Sequence, residues 1–268
     1  MNRRTRNILI ILGWLLLGSY LVYSLLFTAE RAKKVLCRGI RVEVVDSAQY
    51  QFVKPGTIRK MILSSTISPI GKPLNSINTH KLEKNISELV AVRDVQVYKS
   101  MDGILRITVK QRRPIVRIFN ARNQSYYIDD EGLVMPVSSS YAAYVLIASG
   151  NIYEPFRVKP NIDITRWNDS LTNGSKPLVC QIFDFARYIN HDAFWRAQIN
   201  QIYVINARNV ELIPVVGPHV IAMGSLEGYD RKLKKLKLFY ENALPTEGWN
   251  KYSRINLMYS NQIVCTKR

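Results

Sequence analysis

Few residues of this chain have both the type and the spacing to do chemistry. Asp129, Asp130 and Glu131 put three carboxyl groups in a row, the material of a general acid/base pair. They stand beside Gly132 between two apolar runs, Tyr126-Tyr127-Ile128 and Leu133-Val134-Met135, and in that position acidic side chains form the turn of a hairpin. His80, His191 and His219 are scattered, with no H-E-x-x-H pattern and no cysteine beside them, so no metal site is indicated. Gly224-Ser225-Leu226-Glu227-Gly228 is not a nucleophile elbow, because Leu226 holds the place where that motif needs its serine. The glycines make neither a dinucleotide fingerprint nor a phosphate-binding loop. The three cysteines, Cys37, Cys180 and Cys265, are too few for a four-cysteine zinc site or a disulfide-dense scaffold; Cys180 and Cys265 could pair in an oxidising compartment, leaving Cys37 odd. The sequence therefore offers no catalytic residue, no cofactor site and no metal site, and the chain reads as a non-enzyme.

What remains is surface for binding. Arg231, Lys232, Lys234, Lys235 and Lys237 crowd one side of a predicted helix over 230–244, opposite an apolar stripe of Leu233, Leu236, Tyr240 and Ala243. Such a run is either a solvated face or a contact for an acidic partner. Beyond it, Ile255, Leu257 and Tyr259 alternate with Arg254, Asn256 and Met258, the period-two pattern of a strand. A turn is expected at Ser260-Asn261 and a return strand over Gln262, Ile263, Val264 and Cys265. A partly apolar strand at the very end of a sheet leaves backbone donors and acceptors open, which a partner's strand can take up by β-augmentation. Tyr259 fits a packing role and an interface anchor equally well.

These elements need something to hold them in place. The chain has 268 residues, 47% of them hydrophobic, enough for two packed domains. From Ile8 to Phe27 run twenty residues with no ionisable side chain other than Tyr20 and Tyr23. As a helix rising about 1.5 Å per residue they cover about 30 Å, the thickness of a bilayer's hydrocarbon core. The run is too long for a signal peptide's apolar core, and Phe27-Thr28-Ala29-Glu30 offers no small-x-small cleavage site, so an uncleaved anchor is expected. Arg3, Arg4 and Arg6 precede the run and Arg31, Lys33, Lys34 and Arg38 follow it, so charge alone is nearly balanced. The short head 1–7 is easily retained in the cytoplasm, whereas a long domain translocates regardless of its charge. The expected order is a cytoplasmic head 1–7, a transmembrane helix 8–27, a juxtamembrane linker 28–38 and an extracytoplasmic bulk. The net charge of +18 divides as +6 over 1–40, +7 over 41–113 and +5 over 114–268. It is densest beside the membrane, where anionic headgroups lie, and lacks the single focused face of a nucleic-acid binder.

Two folded units follow. Over 39–113, Ile40, Val42 and Val44 alternate as a strand, and Ile58 to Leu63 is a short helix. Leu82, Ile86, Leu89 and Val90 share one helical face behind the N-cap Asn78, and Val92–Val97 and Leu105–Val109 flank an Asp102-Gly103 hairpin turn. The order is strand, helix, helix, strand, strand, with both helices on one face of the sheet. Over 114–268 the pattern is mostly strands: 115–119, 126–128, 133–135, 145–148, 199–205, 210–213, 220–223 and the terminal pair. Two helices, 178–191 and 230–244, interrupt them. The fold class is α+β: a single N-terminal transmembrane helix, a β-α-α-β-β unit, then a mostly antiparallel β-domain with two helices.

In that order the features resemble the bacterial cell-division family FtsQ/DivIB, with the first unit similar to its POTRA domain. The residues that carry the likeness are Val92-Arg93-Asp94-Val95-Gln96-Val97, Leu105 through Ile115 with its Gln111-Arg112-Arg113-Pro114, and the hairpin Tyr127-Ile128-Asp129 with Gly132-Leu133-Val134. In the tail, Lys235-Leu236, Phe239-Tyr240, Gly248-Trp249, Tyr252, Ile255 through Tyr259 and Asn261 through Val264 are similar to Bacteroidetes members. Better-known members read Asp-Leu-Arg-Tyr where this chain has Asn256-Leu257-Met258-Tyr259, which removes both charges. The resemblance implies a non-enzymatic scaffold at the division septum, single-pass in the inner membrane with a periplasmic bulk. It implies FtsB-like and FtsL-like partners and other divisome components, and no nucleic acid. The partner-binding residues it implies, together with the open-strand argument, are Lys234, Lys237, Tyr240, Tyr252, Ile255, Leu257, Tyr259, Ser260, Asn261, Gln262, Ile263 and Val264. Two other classes stand beside it: a POTRA-containing translocation or envelope-assembly factor, and a membrane-anchored cell-wall enzyme, for which no carboxylate pair or nucleophile is visible.

Overall fold

The computed structural model describes residues 12–24, 35–64, 68–167 and 176–268. Residues 12–24 are helical (α1), and this is the described part of the apolar run 8–27. The rest of that run, the head 1–7 and the linker up to 34 lie outside the described residues. Among the described residues, no helix is long and apolar enough to cross a membrane. The chain divides into two compact units, 1–111 and 112–268.

In the first unit the order is β1 (Gly39–Val44), α2 (Pro55–Ser64), α3 (Thr79–Ser87), β2 (Val92–Lys99) and β3 (Ile104–Gln111). The sheet runs β1-β3-β2, with β1 parallel and β2 antiparallel to the central β3. Strand β3 shows why the helices cover one face only: Leu105, Ile107, Val109 and Gln111 are buried at alternate positions. They meet Ile58 and Ile62 of α2 and Leu82 and Ile86 of α3, the apolar stripes read from the sequence. Each such side chain, fully buried, contributes about 1.5–3 kcal/mol. The N-cap role of Asn78 holds, since its side chain accepts from Lys81 N at 2.9 Å. Ahead of β1, Leu36 bridges Pro73 and Arg38 N donates to Gly103 O at 2.7 Å.

The second unit is built on a nine-stranded sheet in the order β12-β11-β10-β9-β8-β7-β4-β5-β6. Its strands are β4 (Pro114–Phe119), β5 (Ser125–Asp129), β6 (Val134–Pro136), β7 (Leu146–Gly150), β8 (Ile199–Asn206), β9 (Asn209–Pro214), β10 (Val220–Gly224), β11 (Tyr252–Asn256) and β12 (Val264–Lys267). The sheet is mostly antiparallel, as expected, with β4–β7, β7–β8 and β10–β11 as its parallel pairings. Parallel neighbours require crossover connections, and the segments that carry the helices supply two of them.

The helices differ from the two expected. Helix α4 (Leu178–His191) stops at Asp192, whose carboxylate caps a separate helix α5 (Ala193–Gln198) by accepting from Phe194 N at 2.9 Å and Trp195 N at 3.2 Å. The second predicted helix, 230–244, is α6 (Tyr229–Asn242), and a separate short α7 (Leu244–Glu247) follows it, because Pro245 has no N–H with which to continue the first. Helices α4 and α6 meet where the Tyr229 ring lies 5.5 Å from Phe185 and 5.1 Å from Tyr188. The stretch 151–167 packs Ile152, Phe156 and Ile164 into the core, and residues 168–175 lie outside the described residues.

Candidate partner-binding edge

The two rims of the large sheet are built differently. At the β6 rim, Val134 N donates to Ile162 O and Asn161 N to Val134 O, each at 2.9 Å, while Leu133 bridges Asp163. The chain's own 161–164 segment thus occupies the hydrogen-bonding side that β6 would otherwise offer. At the other rim, β12 pairs with β11 through Tyr252–Lys267, Arg254–Thr266, Ile255–Cys265 and Asn256–Val264, and no described strand lies beyond it. Alternate residues of a strand direct their amide groups to one side, so about two of the four residues present an outward N–H and C=O.

The loop between these strands, 257–263, is held from below by α6. Lys235 Nζ donates to the carbonyl oxygens of Leu257 (3.5 Å), Gln262 (3.1 Å) and Tyr259. Partial burial lowers the pKa of Lys235, the cost of drawing an ammonium out of water, and three carbonyl dipoles offset it. Inside the loop, Asn256 Oδ1 accepts from Met258 N at 2.9 Å, an Asx turn that ends β11. Met258 then lies over Gly224, where φ is +73° and a β-carbon would come within 2.7 Å of Met258 Cγ. Arg254 pairs with Glu211 of β9 at 2.6 Å, and Lys232 donates to Ser225 O at 2.7 Å, so Lys232 and Lys235 of the basic run are committed inside the unit.

An aromatic cluster stands at the start of β11, the end away from the loop. The Tyr240 hydroxyl meets His219 Nε2 at 2.8 Å, and its ring lies 5.2 Å from Trp249 in an edge-on arrangement. Burial pushes the Tyr240 phenol up and the His219 imidazole down, since both environments disfavour charge.

The segment 113–266 matches the family described as FtsQ/DivIB, C-terminal related, and residues 35–110 match a POTRA-like domain. The chain belongs to the FtsQ/DivIB family. It is also 24% identical over 230 residues to the cell division protein FtsQ of Rhodothermus marinus, which covers 85% of this chain and 77% of that protein. The match over the second unit specifies the family.

The family's terminal strands, as they stand in this chain, are not all surface. Ile255 and Leu257 are 0% and 1% exposed, and Tyr240 is buried, so these three back the rim from within the core. Tyr252, Ile263 and Lys237 are half-buried: Tyr252 packs against Phe239, Ile263 against the core, and Lys237 over the Phe194 ring at 4.9 Å. Lys234, Tyr259, Ser260, Asn261, Gln262 and Val264 are exposed, and of these the loop gathers all but Lys234 beside the β12 rim. The sequence reading missed four contributors. Met258 is 50% exposed, Thr266 and Lys267 complete the edge strand, and Lys235 builds the loop rather than facing outward. Apolar alternation gives no signal for Thr266 and Lys267, because β12 is exposed along most of its length.

The other chemical candidates are structural. Asp129, fully buried, accepts from Glu131 N, Leu133 N and Arg112, and so shapes the β5–β6 turn; burial raises its pKa against those hydrogen bonds. Cys180 and Cys265 are unbridged, and burial lifts the Cys180 thiol to about 11. Among the described residues, no group of three His, Cys, Asp or Glu side chains could hold a metal ion.

Proposed function

We propose that this member of the FtsQ/DivIB family is a non-enzymatic, membrane-anchored scaffold of the bacterial division machinery. The apolar run 8–27 spans the inner membrane once, the head 1–7 stays in the cytoplasm, and both folded units stand on the periplasmic side at the septum. The β12 rim takes an extended segment of an FtsB-like protein as a tenth strand. Met258, Tyr259 and Val264 supply apolar contact beside it, and Lys234 attracts acidic groups. An FtsL-like protein joins through that partner, and the scaffold so links early and late division proteins.

One observation carries this reading: among the described residues, a nine-stranded sheet is closed by its own chain at β6 and left unpaired at β12. Exposed edges invite association, and proteins that need none cover them. Truncation after Ile263, made in the full chain, removes the rim and should abolish co-purification with the FtsB-like protein while the melting temperature changes little. Undiminished co-purification would refute the rim as the site. Topology is tested separately by a reporter fused after Arg268: alkaline phosphatase active there supports a periplasmic bulk, and activity of a cytoplasm-only reporter refutes it.

A further inference from the structure

The first unit has an end that faces where its chain comes from. Strands β1 and β3 both start there and β2 finishes there, so the end is made of residues 35–38, the loop 69–73 and the hairpin turn 100–103. These three segments are stitched together: Cys37 N donates to Lys72 O and Gly71 N to Cys37 O, each at 2.9 Å, while Arg38 N donates to Gly103 O. Gly103, at φ +82°, allows the close approach, since a β-carbon there would lie 2.8 Å from Leu36 O.

The end carries apolar side chains that the described residues leave exposed. Met101 is 95% exposed at the tip of the turn, and Leu36 and Ile70 are 49% and 44% exposed on the adjoining segments. Arg38, Lys72 and Lys99, all exposed, surround them. The one acidic side chain of the turn, Asp102, is paired with Arg106 at 3.0 Å, and that pairing and the Ile104 N–H hold it ionised, so the surrounding cations are in excess. A thioether and two branched alkyl groups inside a basic ring match a surface with hydrocarbon below and negative charge above.

Covalent connectivity brings such a surface within reach. Only residues 28–34 separate the apolar run from residue 35, and at most about 3.6 Å per residue that connection spans no more than about 25 Å. Arg31, Lys33 and Lys34 within it draw it further toward anionic headgroups.

We propose that this end of the first unit, with Leu36, Ile70 and Met101 at its centre and Arg38, Lys72 and Lys99 around them, docks on the anionic surface of the bilayer in which the chain is anchored. The contact rests on the anchor proposed above and adds a second attachment to it. It fixes the unit's strands at a set angle to the membrane.

Methionine oxidation tests this without altering the chain. The full-length protein is reconstituted into vesicles of phosphatidylcholine alone, or of about three parts phosphatidylcholine to one of phosphatidylglycerol. Oxidation of Met101 by hydrogen peroxide is followed by mass spectrometry, with Met258 of the same molecule as the internal standard. Met101 should react several-fold more slowly, relative to Met258, in the phosphatidylglycerol vesicles. The double reversal K72E/K99E should restore its rate there. Equal relative rates in both vesicles, or a rate insensitive to the reversal, would overturn the contact. Carbonate washing separates the two readings: a chain stripped from the vesicles refutes the anchor, whereas a chain retained with Met101 unprotected refutes only the docking surface.

Discussion

Replacing Lys235 by methionine isolates the part of the rim that only the structure reveals. The ammonium donates to three carbonyls of the 257–263 loop, and methionine keeps the length of the stem while removing every donor. A hydrogen bond from a charged group contributes about 1.5–3 kcal/mol when its partner is left buried. The carbonyls of Tyr259 and Gln262 belong to exposed residues and can turn to water. The net loss should therefore be about 1–2 kcal/mol, and it falls on the loop, since the core contacts of Leu233, Leu236 and Tyr240 are untouched. Global unfolding should shift little, while amides of 258–263 exchange about tenfold faster, 1.4 kcal/mol being a factor of ten. Affinity for the FtsB-like partner should fall by a similar factor, because binding must then order the loop. The assay is hydrogen exchange by mass spectrometry beside biolayer interferometry, with K234M as the surface control. If K235M exchanges and binds like K234M, the loop does not depend on this lysine and the reasoning fails.

Burial sorts the remaining site residues. Leu257→Ala should cost about 2–5 kcal/mol in chemical denaturation, because it opens a cavity in the core, whereas Tyr259→Ala should stay within about 0.5 kcal/mol and act on partner affinity instead. Gly224→Ala should destabilise by about 1 kcal/mol or more, since it meets both a positive φ and Met258. His219 makes stability depend on pH. Its folded pKa lies below the unfolded value, so the unfolded chain binds the extra proton and stability is lost as pH falls from about 6.5, at up to about 1.4 kcal/mol per pH unit. His219→Phe should flatten that slope in melting curves recorded between pH 8 and 5, and an unchanged slope would remove His219 as its source.

Much of the fold was legible because period-two and helical patterns survive wherever one face is buried. The alternation in β3 and the stripes on α2 and α3 fixed the first unit, and the hairpins at Gly103 and Gly132 followed from turn chemistry. Pairing across crossovers was not legible: nothing local marks β7 as the neighbour of both β4 and β8. The terminal strands show the limit most clearly. Alternation through Ile255, Leu257 and Tyr259 suggested one strand, but the Asn256 side chain captures Met258 N and ends β11 there, and Lys235 gathers the carbonyls that follow. Tyr259 is carried out of the strand pattern to the surface. Both causes are contacts of single polar groups, invisible to hydrophobic periodicity.

The central claim, that β12 is an unpaired edge awaiting a partner's strand, is tested most directly by residue-resolved amide exchange over 264–267 in the full chain, with and without the FtsB-like protein. Alternate amides of β12 should exchange quickly in the free protein and become strongly protected in the complex. A complex that forms while those amides keep exchanging at their free rate would contradict the account.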